Sequence, residues 1–568
     1  MDLSLSGLAS GFDWKSVVDQ IVEVERAPQR LLLSEQIGLN QVGSAYNTIE
    51  SHLSNLNARV EALADTTLYD KRSSSSNDSD IATATADNGT AKGKYAFNIA
   101  QLATTSVQTG TSDVGAAING TADVTGLVLD SANFATPITA GKFTVNGKQI
   151  TLATTDSLQD VFDAINTATG GDVTGSYDPV TDKITLSGTG EIVLGSATDT
   201  SNFLAVTRLN NNGTGTVSSS YSLGSIQLSN ALDSGNFTTA VSDGGAGNGE
   251  FTINGVSIAF SAADDSLADV IARINDSDAG VTASYDSVND RLYLTNKVTG
   301  DLGVSMEDVT GNFLAATGLS SGTLSRGDNL EYTINSGGTL VSQSNTITAD
   351  SSGLSGVTVT ALDTGTVNIE IKNDTDTIRT AITNFIQSYN TLQSYIDNAT
   401  SSTTDSDGKV SAGILASESD ASTLSTALRR IAHGQVTGLS TSFDKLGDLG
   451  IISSGDNNQM SLSDAEALDT ALANSIPDIK SLFTDATNGI ATQLETFIDG
   501  AIGDDGSIIE RQATITKQSN DIDSQIEAME RLVQANRQSM INGFVAMEQA
   551  QAKSNQQLQF LASQIGSQ

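Results

Sequence analysis

The chain has 568 residues, 38% of them hydrophobic, and 28 Lys+Arg against 67 Asp+Glu give it a net charge of −39 at pH 7. That length predicts several domains rather than one core, and the charge repels phosphate backbones and anionic lipid, so neither nucleic acid nor membrane insertion is expected. There is no Cys, and the only two His, His52 and His433, lie far apart in sequence, which disfavours disulfides, thiol chemistry, zinc sites and His-based triads.

The opening MDLSLSGLASGFDW has no basic or apolar signal region, so no cleaved secretory signal is expected. Asp13 or Ser16 is placed to cap a helix from about Trp14, with Val17, Val18, Ile21 and Val22 on its apolar side. Pro28 predicts a break or kink near Ala27. Beyond it, Val42, Tyr46, Ile49, Leu53, Leu56, Val60 and Leu63 recur in alternating steps of four and three, a heptad that implies helix against helix. His52 beside that seam reads as a flanking polar residue.

From Lys71 the texture turns to Ser, Thr and Asp, and Tyr95-Ala-Phe97-Asn-Ile99 alternates as a half-buried strand does. Strand-like segments then recur to about Ile371, and they contain an internal repeat. The stretch from Gly141 (GKFTVNGKQITLATTDSLQDVFDAIN) matches the stretch from Gly249 (GEFTINGVSIAFSAADDSLADVIARIN). Ser176-YDPVTDKITL likewise matches Ser284-YDSVNDRLYL. Asn146-Gly147 and Asn254-Gly255 predict two-residue type I′ hairpin turns. Ser157 with Asp160, and Ser266 with Asp269, predict capping boxes on helices whose buried faces are Leu158, Val161, Phe162, Ile165 and Leu267, Val270, Ile271, Ile274. A second hairpin completes each copy as a compact α+β module.

Two strands near 357–371 lead into a helix from Asp374 with Ile378, Ile382, Phe385, Ile386 and Tyr389 as its stripe, and shorter helices follow to about Phe483. The last stretch, 507–568, reads as one amphipathic helix about 80 Å long or more, opened by a Ser507/Glu510 capping box. Its stripe runs Ile515, Ile522, Ile526, Met529, Val533, Asn536, Met540, Phe544, Met547, Gln551, Ser554, Leu558, Leu561, Ile565. The 42–63 heptad is the expected intrachain partner of the 515–533 part. From Asn536 onward no partner within the chain is expected, and that half, with the residues up to Pro28, is expected to order only on docking. Polar Asn536, Gln551 and Ser554 in the seam predict weak, reversible association.

Motifs with chemistry in them are weak. Asp405-Ser-Asp407-Gly408 is a fragment of a calcium loop without its twelfth-position Glu, and Asp456-Asn-Asn458 is no better. Gly244-Gly-Ala-Gly-Asn-Gly249 lacks phosphate-loop and dinucleotide spacing. Asp264-Asp265 suits a helix start better than acid–base work. Hence no enzyme, no cofactor and no catalytic, cofactor-binding or metal site is expected.

Several blocks resemble bacterial flagellar filament cap proteins, the hook-associated protein 2 (FliD) family. They are Ser6-Gly-Leu-Ala-Ser-Gly-Phe-Asp13 with Glu25-Arg-Ala-Pro28, the Gly93–Ala103 block, Asn345-Thr-Ile, the Asp374–Asn390 block, Leu446-Gly-Asp-Leu-Gly-Ile451 and Met460-Ser-Leu-Ser-Asp464. The repeats, at Phe143–Asn146 with Ala164-Ile-Asn166 and at Phe251–Asn254 with Arg273-Ile-Asn275, resemble the IN motif of flagellins and hook-associated proteins. The resemblance implies a multidomain α+β fold: long terminal coiled-coil helices (leg), a mixed helix/strand domain, and two repeated β-rich α+β head modules. The expected segments are 1–45 with 515–568 for the leg, 46–103 with 330–514 for the mixed domain, 104–225 (repeat 141–209) for module 1 and 226–329 (repeat 249–319) for module 2.

It further implies a homo-oligomeric ring, a pentamer by the family's habit, at the distal tip of the flagellum, where incoming flagellin is inserted. The other implied partners are the hook–filament junction proteins and an export chaperone, and the implied route is the flagellar type III channel to the cell exterior. Val42, Tyr46, Ile49, Leu53, Leu56, Val60, Leu63, Ile522, Ile526, Met529 and Val533 are the expected coiled-coil and assembly residues. Met540, Phe544, Met547, Leu558, Leu561 and Ile565 are the expected filament-docking residues. The alternatives are a flagellin-like filament subunit and an adhesin function of the head modules.

Overall fold

The computed structural model describes residues 11, 13–245, 247–439, 443–453, 455 and 457–565. The Ser6–Asp13 block therefore lies almost wholly outside the described residues, as does Asp456. The chain forms two compact units, Met1–Ser73 with Lys372–Gln568 and Ser74–Ile371. The fold class is as expected: long terminal helices, a helical body and several β-rich cores.

In the first unit, helix α1 spans Trp14–Glu25 and helix α2 spans Ala27–Ala64. Asp13 caps α1, its Oδ1 accepting from the Ser16 N–H at 3.2 Å. Pro28 falls in the first turn of α2, where its missing N–H costs nothing, and Arg26 between the helices keeps right-handed backbone. The predicted break is thus a single turn residue.

The 42–63 heptad is the spine of the unit's core, and Tyr46, Ile49, Leu53, Leu56 and Val60 are fully buried while Val42 is half-buried. The expected C-terminal helix is only one of its partners. The Thr375–Thr400 helix brings Ile378, Ile382, Phe385 and Tyr389, and the Ile490–Ile502 helix brings Leu494 and Ile498. The C-terminal helix, Ser507–Ile565, joins that core only through Ile508 and Ile515. The reason is supply of apolar surface. A seam of six buried side chains needs large partners at every turn, which the Thr375–Thr400 stripe provides and the charge-flanked Ile515, Ile522, Ile526 spacing does not. Nor does the predicted Ser507/Glu510 box open the C-terminal helix. The Glu510 N–H donates to the Gly506 carbonyl (2.9 Å), so Gly506 is the cap and Ser507 lies one position too late.

The second unit holds three separate cores. One lies between a five-stranded sheet, in the order Arg72–Ser76, Gly365–Asn373, Gly93–Gln101, Leu330–Ile334, Leu340–Ser342, and a three-stranded sheet. The predicted strand sits inside the former, with Phe97 and Ile99 inward. The other two cores are the repeats. Asn146 and Asn254 adopt φ of 46° and 49°, with Gly147 and Gly255 at 71° and 80°, as type I′ turns require. Both capping boxes form, on helices Leu158–Ala168 and Leu267–Asp276, and the predicted apolar faces are buried, except that Ile271 is half-buried.

Module limits differ from the expectation in one respect. Strand Thr105–Thr109, which the sequence reading placed in module 1, pairs with Arg291–Thr299 and Thr323–Ser325 in the sheet of module 2. Val114 likewise belongs to the core of module 2, and Ile118 is the first residue in the core of module 1. Module 1 is therefore an insertion in module 2. Sequence similarity between the copies could not reveal this, because the strand has no counterpart in the repeat.

Candidate assembly surface on the terminal helices

Below the core, the first unit narrows to α1 and the first half of α2 running antiparallel to the C-terminal helix. Hydrogen bonds and ion pairs mark the register. Gln512 Nε2 donates to Asn47 Oδ1 (2.9 Å), Ser519 Oγ to Asn40 Oδ1 (3.0 Å), Arg26 pairs with Glu530 (2.6 Å) and Arg537 with Asp19 (3.1 Å). Hydrogen bonds from Gln534 and Arg26 hold the Glu530 carboxyl below the usual Glu range. Ile522 and Val533 are buried in this contact, and Ile526 and Met529 are half-buried.

At its lower end, Trp14, Val18 and Val22 of α1 close over Val533, Met540, Ile541, Phe544 and Val545. The rings of Trp14 and Phe544 stack with centroids 5.7 Å apart and planes 8° from parallel. This corrects the expectation that the C-terminal helix has no partner from Asn536 onward. Met540 and Phe544, two of the predicted docking residues, are packed within the chain. The signal was present in the spacing of Trp14, Val18 and Val22, which places them on one stripe of α1. Past this contact the apolar residues face outward. Met547, Leu558, Leu561 and Ile565 are 42%, 60%, 52% and 77% exposed, and Phe560, absent from the predicted stripe, is 63% exposed.

At the upper end sits a cluster that no spacing or motif in the chain points to. The Arg511 guanidinium grips the Glu418 carboxylate (2.8 and 2.9 Å), and the Tyr46 hydroxyl donates to the same carboxylate (3.1 Å). Burial, then the Glu418 charge, push the Tyr46 hydroxyl up to about 12. The cluster ties α2, the segment before the Ser419–Ala432 helix and the C-terminal helix together where the helix leaves the core.

The weak motifs are structural. Asp405 Oδ1 accepts from the Asp407 and Lys409 N–H groups and so closes a hairpin turn. Asp265 pairs with Arg273 beside the helix it precedes. His52 packs on Tyr395, and His433 is half-buried, its imidazole pushed down by burial and by Arg429. Among the described residues no group of three His, Cys, Asp or Glu is placed to hold a metal, and no helix is long and apolar enough to cross a membrane.

Two models of one protein family match the two ends of the chain. "Flagellar hook-associated protein 2 N-terminus" matches 10–106 and "Flagellar hook-associated protein 2 C-terminus" matches 327–556, together more than half of the chain. The chain belongs to the flagellar hook-associated protein 2 family. Between those segments, "Flagellin hook IN motif" matches 250–298, the repeat in module 2.

Among similar proteins is the flagellar hook-associated protein 2 of Thermotoga maritima, 26% identical over 409 residues. That alignment covers 69% of this chain and 66% of the relative, so the chain spans just under two thirds of its length. The A-type flagellar hook-associated protein 2 of Pseudomonas aeruginosa is 24% identical over 565 residues, 97% of this chain and 95% of the relative. A crystal structure of the D1-D2-D3 domains of the flagellar cap protein FliD from Escherichia coli aligns with a TM-score of 0.46 at 19% identity, covering 83% of this chain and 99% of that one.

Proposed function

We propose that this hook-associated protein 2 caps the flagellar filament at its distal tip, outside the cell, and promotes insertion of arriving flagellin. One observation carries the reading beyond family membership. The C-terminal helix continues past its last intrachain cluster and presents Leu558, Phe560, Leu561 and Ile565 to the exterior. Apolar residues on a protruding helix mark a surface that is covered in use. Polar Gln551 and Ser554 among them keep that association weak enough to be remade as each subunit is added. In this reading several copies form a ring, a pentamer by the family's habit, beside the hook–filament junction proteins. An export chaperone covers the apolar end before passage through the flagellar type III channel. The role is structural, and no catalytic step is assigned to the chain.

Deleting 547–568 tests this. The shortened chain retains the Trp14–Phe544 stack and both units, and it is expected to fold yet fail to restore filament growth in a strain lacking the native protein. Restored growth would refute the docking role of the helix end.

A further inference from the structure

The sequence repeat places an aspartate at the same point of each module, Asp182 in YDPVTDK and Asp290 in YDSVNDR. Both occupy the turn of the second hairpin with positive φ, 49° and 47°, a conformation that Asp tolerates better than most residues. A turn aspartate ordinarily faces water. These two are 6% and 4% exposed. A buried carboxylate costs several kcal/mol unless it is fully hydrogen-bonded, so the question is what these two bind.

They bind the two connectors between the modules. Asp182 accepts from the Ile118 N–H (3.1 Å) on the incoming connector and from the Leu223 and Gly224 N–H groups (2.8 and 2.6 Å) on the outgoing one. Asp290 accepts from the Gly115 N–H on the incoming connector and from the Ile226 N–H (3.1 Å) on the outgoing one. Each carboxylate thus holds both connectors, one from either side of their crossing. The hydroxyls of Tyr177 and Tyr285, also equivalent in the repeat, donate to Asp182 and Asp290 and occupy remaining lone pairs. The crossing is close enough that a Cβ at Gly224 would collide with the Ala116 carbonyl and one at Gly115 with Ser225. Arg208 of module 1 closes the joint, its guanidinium donating to the Ser287 and Val288 carbonyls of the hairpin turn in module 2.

We propose that Asp182 and Asp290 form a paired latch that locks the two modules into one rigid body. The connectors contribute almost no apolar side chains to either core beyond Val114, Ile118, Leu223 and Ile226, so rotation about them is opposed by polar bonds: the connector amides held by the two carboxylates, with Asn236 donating to the Ala116 and Ser225 carbonyls and Asn133 donating to Asn236. A joint made of backbone N–H donors and two acceptors has one geometry, whereas an apolar contact could slide. The latch is independent of what the assembled protein does.

The absence of Cys makes a direct test simple. Thr167 and Ala272 are exposed on the equivalent helices of the two modules and accept spin labels as T167C/A272C. In the full chain with native aspartates, the inter-label distance distribution is expected to be single and narrow. Adding D182N/D290N replaces an acceptor oxygen by an NH2 group on each side chain and should broaden it. In hydrogen exchange, the Ile118, Gly224 and Ile226 amides should lose about ten- to a hundredfold of protection, while Ile184 and Leu292 in the module cores keep theirs. A narrow distribution in the double variant overturns the latch. So does loss of core protection together with the connectors, which would assign the carboxylates to module folding. If the variant does not fold, the native chain decides: connector amides exchanging as fast as exposed turns would equally overturn it.

Discussion

Phe544→Ala isolates the contact that the C-terminal helix makes with α1. Its ring stacks on Trp14, which is the only Trp in the chain, so tryptophan fluorescence reports on this contact alone. Stacking of an aromatic pair contributes about 0.5–1.5 kcal/mol beyond area burial. Burying a whole Phe contributes roughly 1.5–3 kcal/mol, and Phe544 is half-buried, so about half of that applies. The loss is therefore about 2 kcal/mol, close to a thirtyfold increase in local opening of α1 from the C-terminal helix. In a urea titration Trp14 emission should move to longer wavelength well before its transition in the native chain. The main far-UV transition should stay in place, because the core around Tyr46, Leu53 and Phe385 does not include Phe544. Coincident emission curves for variant and native chain would refute the assignment of α1 to this site.

Three further outcomes follow from the first and second units. Glu418→Gln leaves Arg511 half-buried without its charge partner and should lower the stability of the first unit by about 1–3 kcal/mol in urea unfolding; a smaller loss would mean solvent already shares that ion pair. Tyr46 carries a folded-state value raised to about 12 against 10.0 for the free side chain, so its protonated form is favoured by the fold. Its contribution is complete below about pH 10 and is lost as pH rises from there towards 12, which Tyr46→Phe should abolish in an alkaline melt. Ser157→Ala and Ser266→Ala each remove a helix cap and should cost about 0.5–2 kcal/mol in the module that carries the change. Hydrogen exchange on the Leu158–Ala168 and Leu267–Asp276 helices separates the two, and loss of protection in both modules from one substitution would contradict separate cores.

What the sequence made legible was whatever depends on short spacing. Type I′ turns at Asn146-Gly147 and Asn254-Gly255, the Ser157 and Ser266 boxes and the 42–63 heptad are encoded within a few residues, and all are present. Pairing across hundreds of residues was not legible. A heptad states that a helix is covered but not by which helix, and the core along Tyr46 to Leu63 is filled mainly by Ile378 to Tyr389, with Ile515 the one residue of the 515–533 stripe that joins it. The membership of Thr105–Thr109 in the sheet of module 2 and the grip of Asp182 on both connectors likewise depend on chain crossing, which leaves no periodic trace.

The division of the C-terminal helix follows from the same distinction between local and distant information. Up to Phe544 its apolar residues are met by α2 and α1, and its polar seam residue Asn536 lies against Glu25 at 3.4 Å. Beyond, roughly 30 Å of helix remains to Ile565 at ~1.5 Å per residue. A largely exposed helix of that length is marginal, and its persistence rests much on composition. The stretch 546–563 is rich in Ala, Gln, Leu, Met, Glu and Lys, which lose little on entering a helix, and it contains neither Gly nor Pro. Local propensity therefore holds the segment helical while leaving Leu558, Phe560, Leu561 and Ile565 exposed. A partner that covers those four side chains then bears little of the ordering cost, and so weak contacts suffice to seat the helix. Introducing Gly at exposed Ala550 and Gln557 should raise that cost by about 1 kcal/mol at each site without removing any apolar contact. If filament growth depends on preorganisation, it should slow in that variant although every docking side chain is intact, and unchanged growth would place the whole of the docking energy in the side chains.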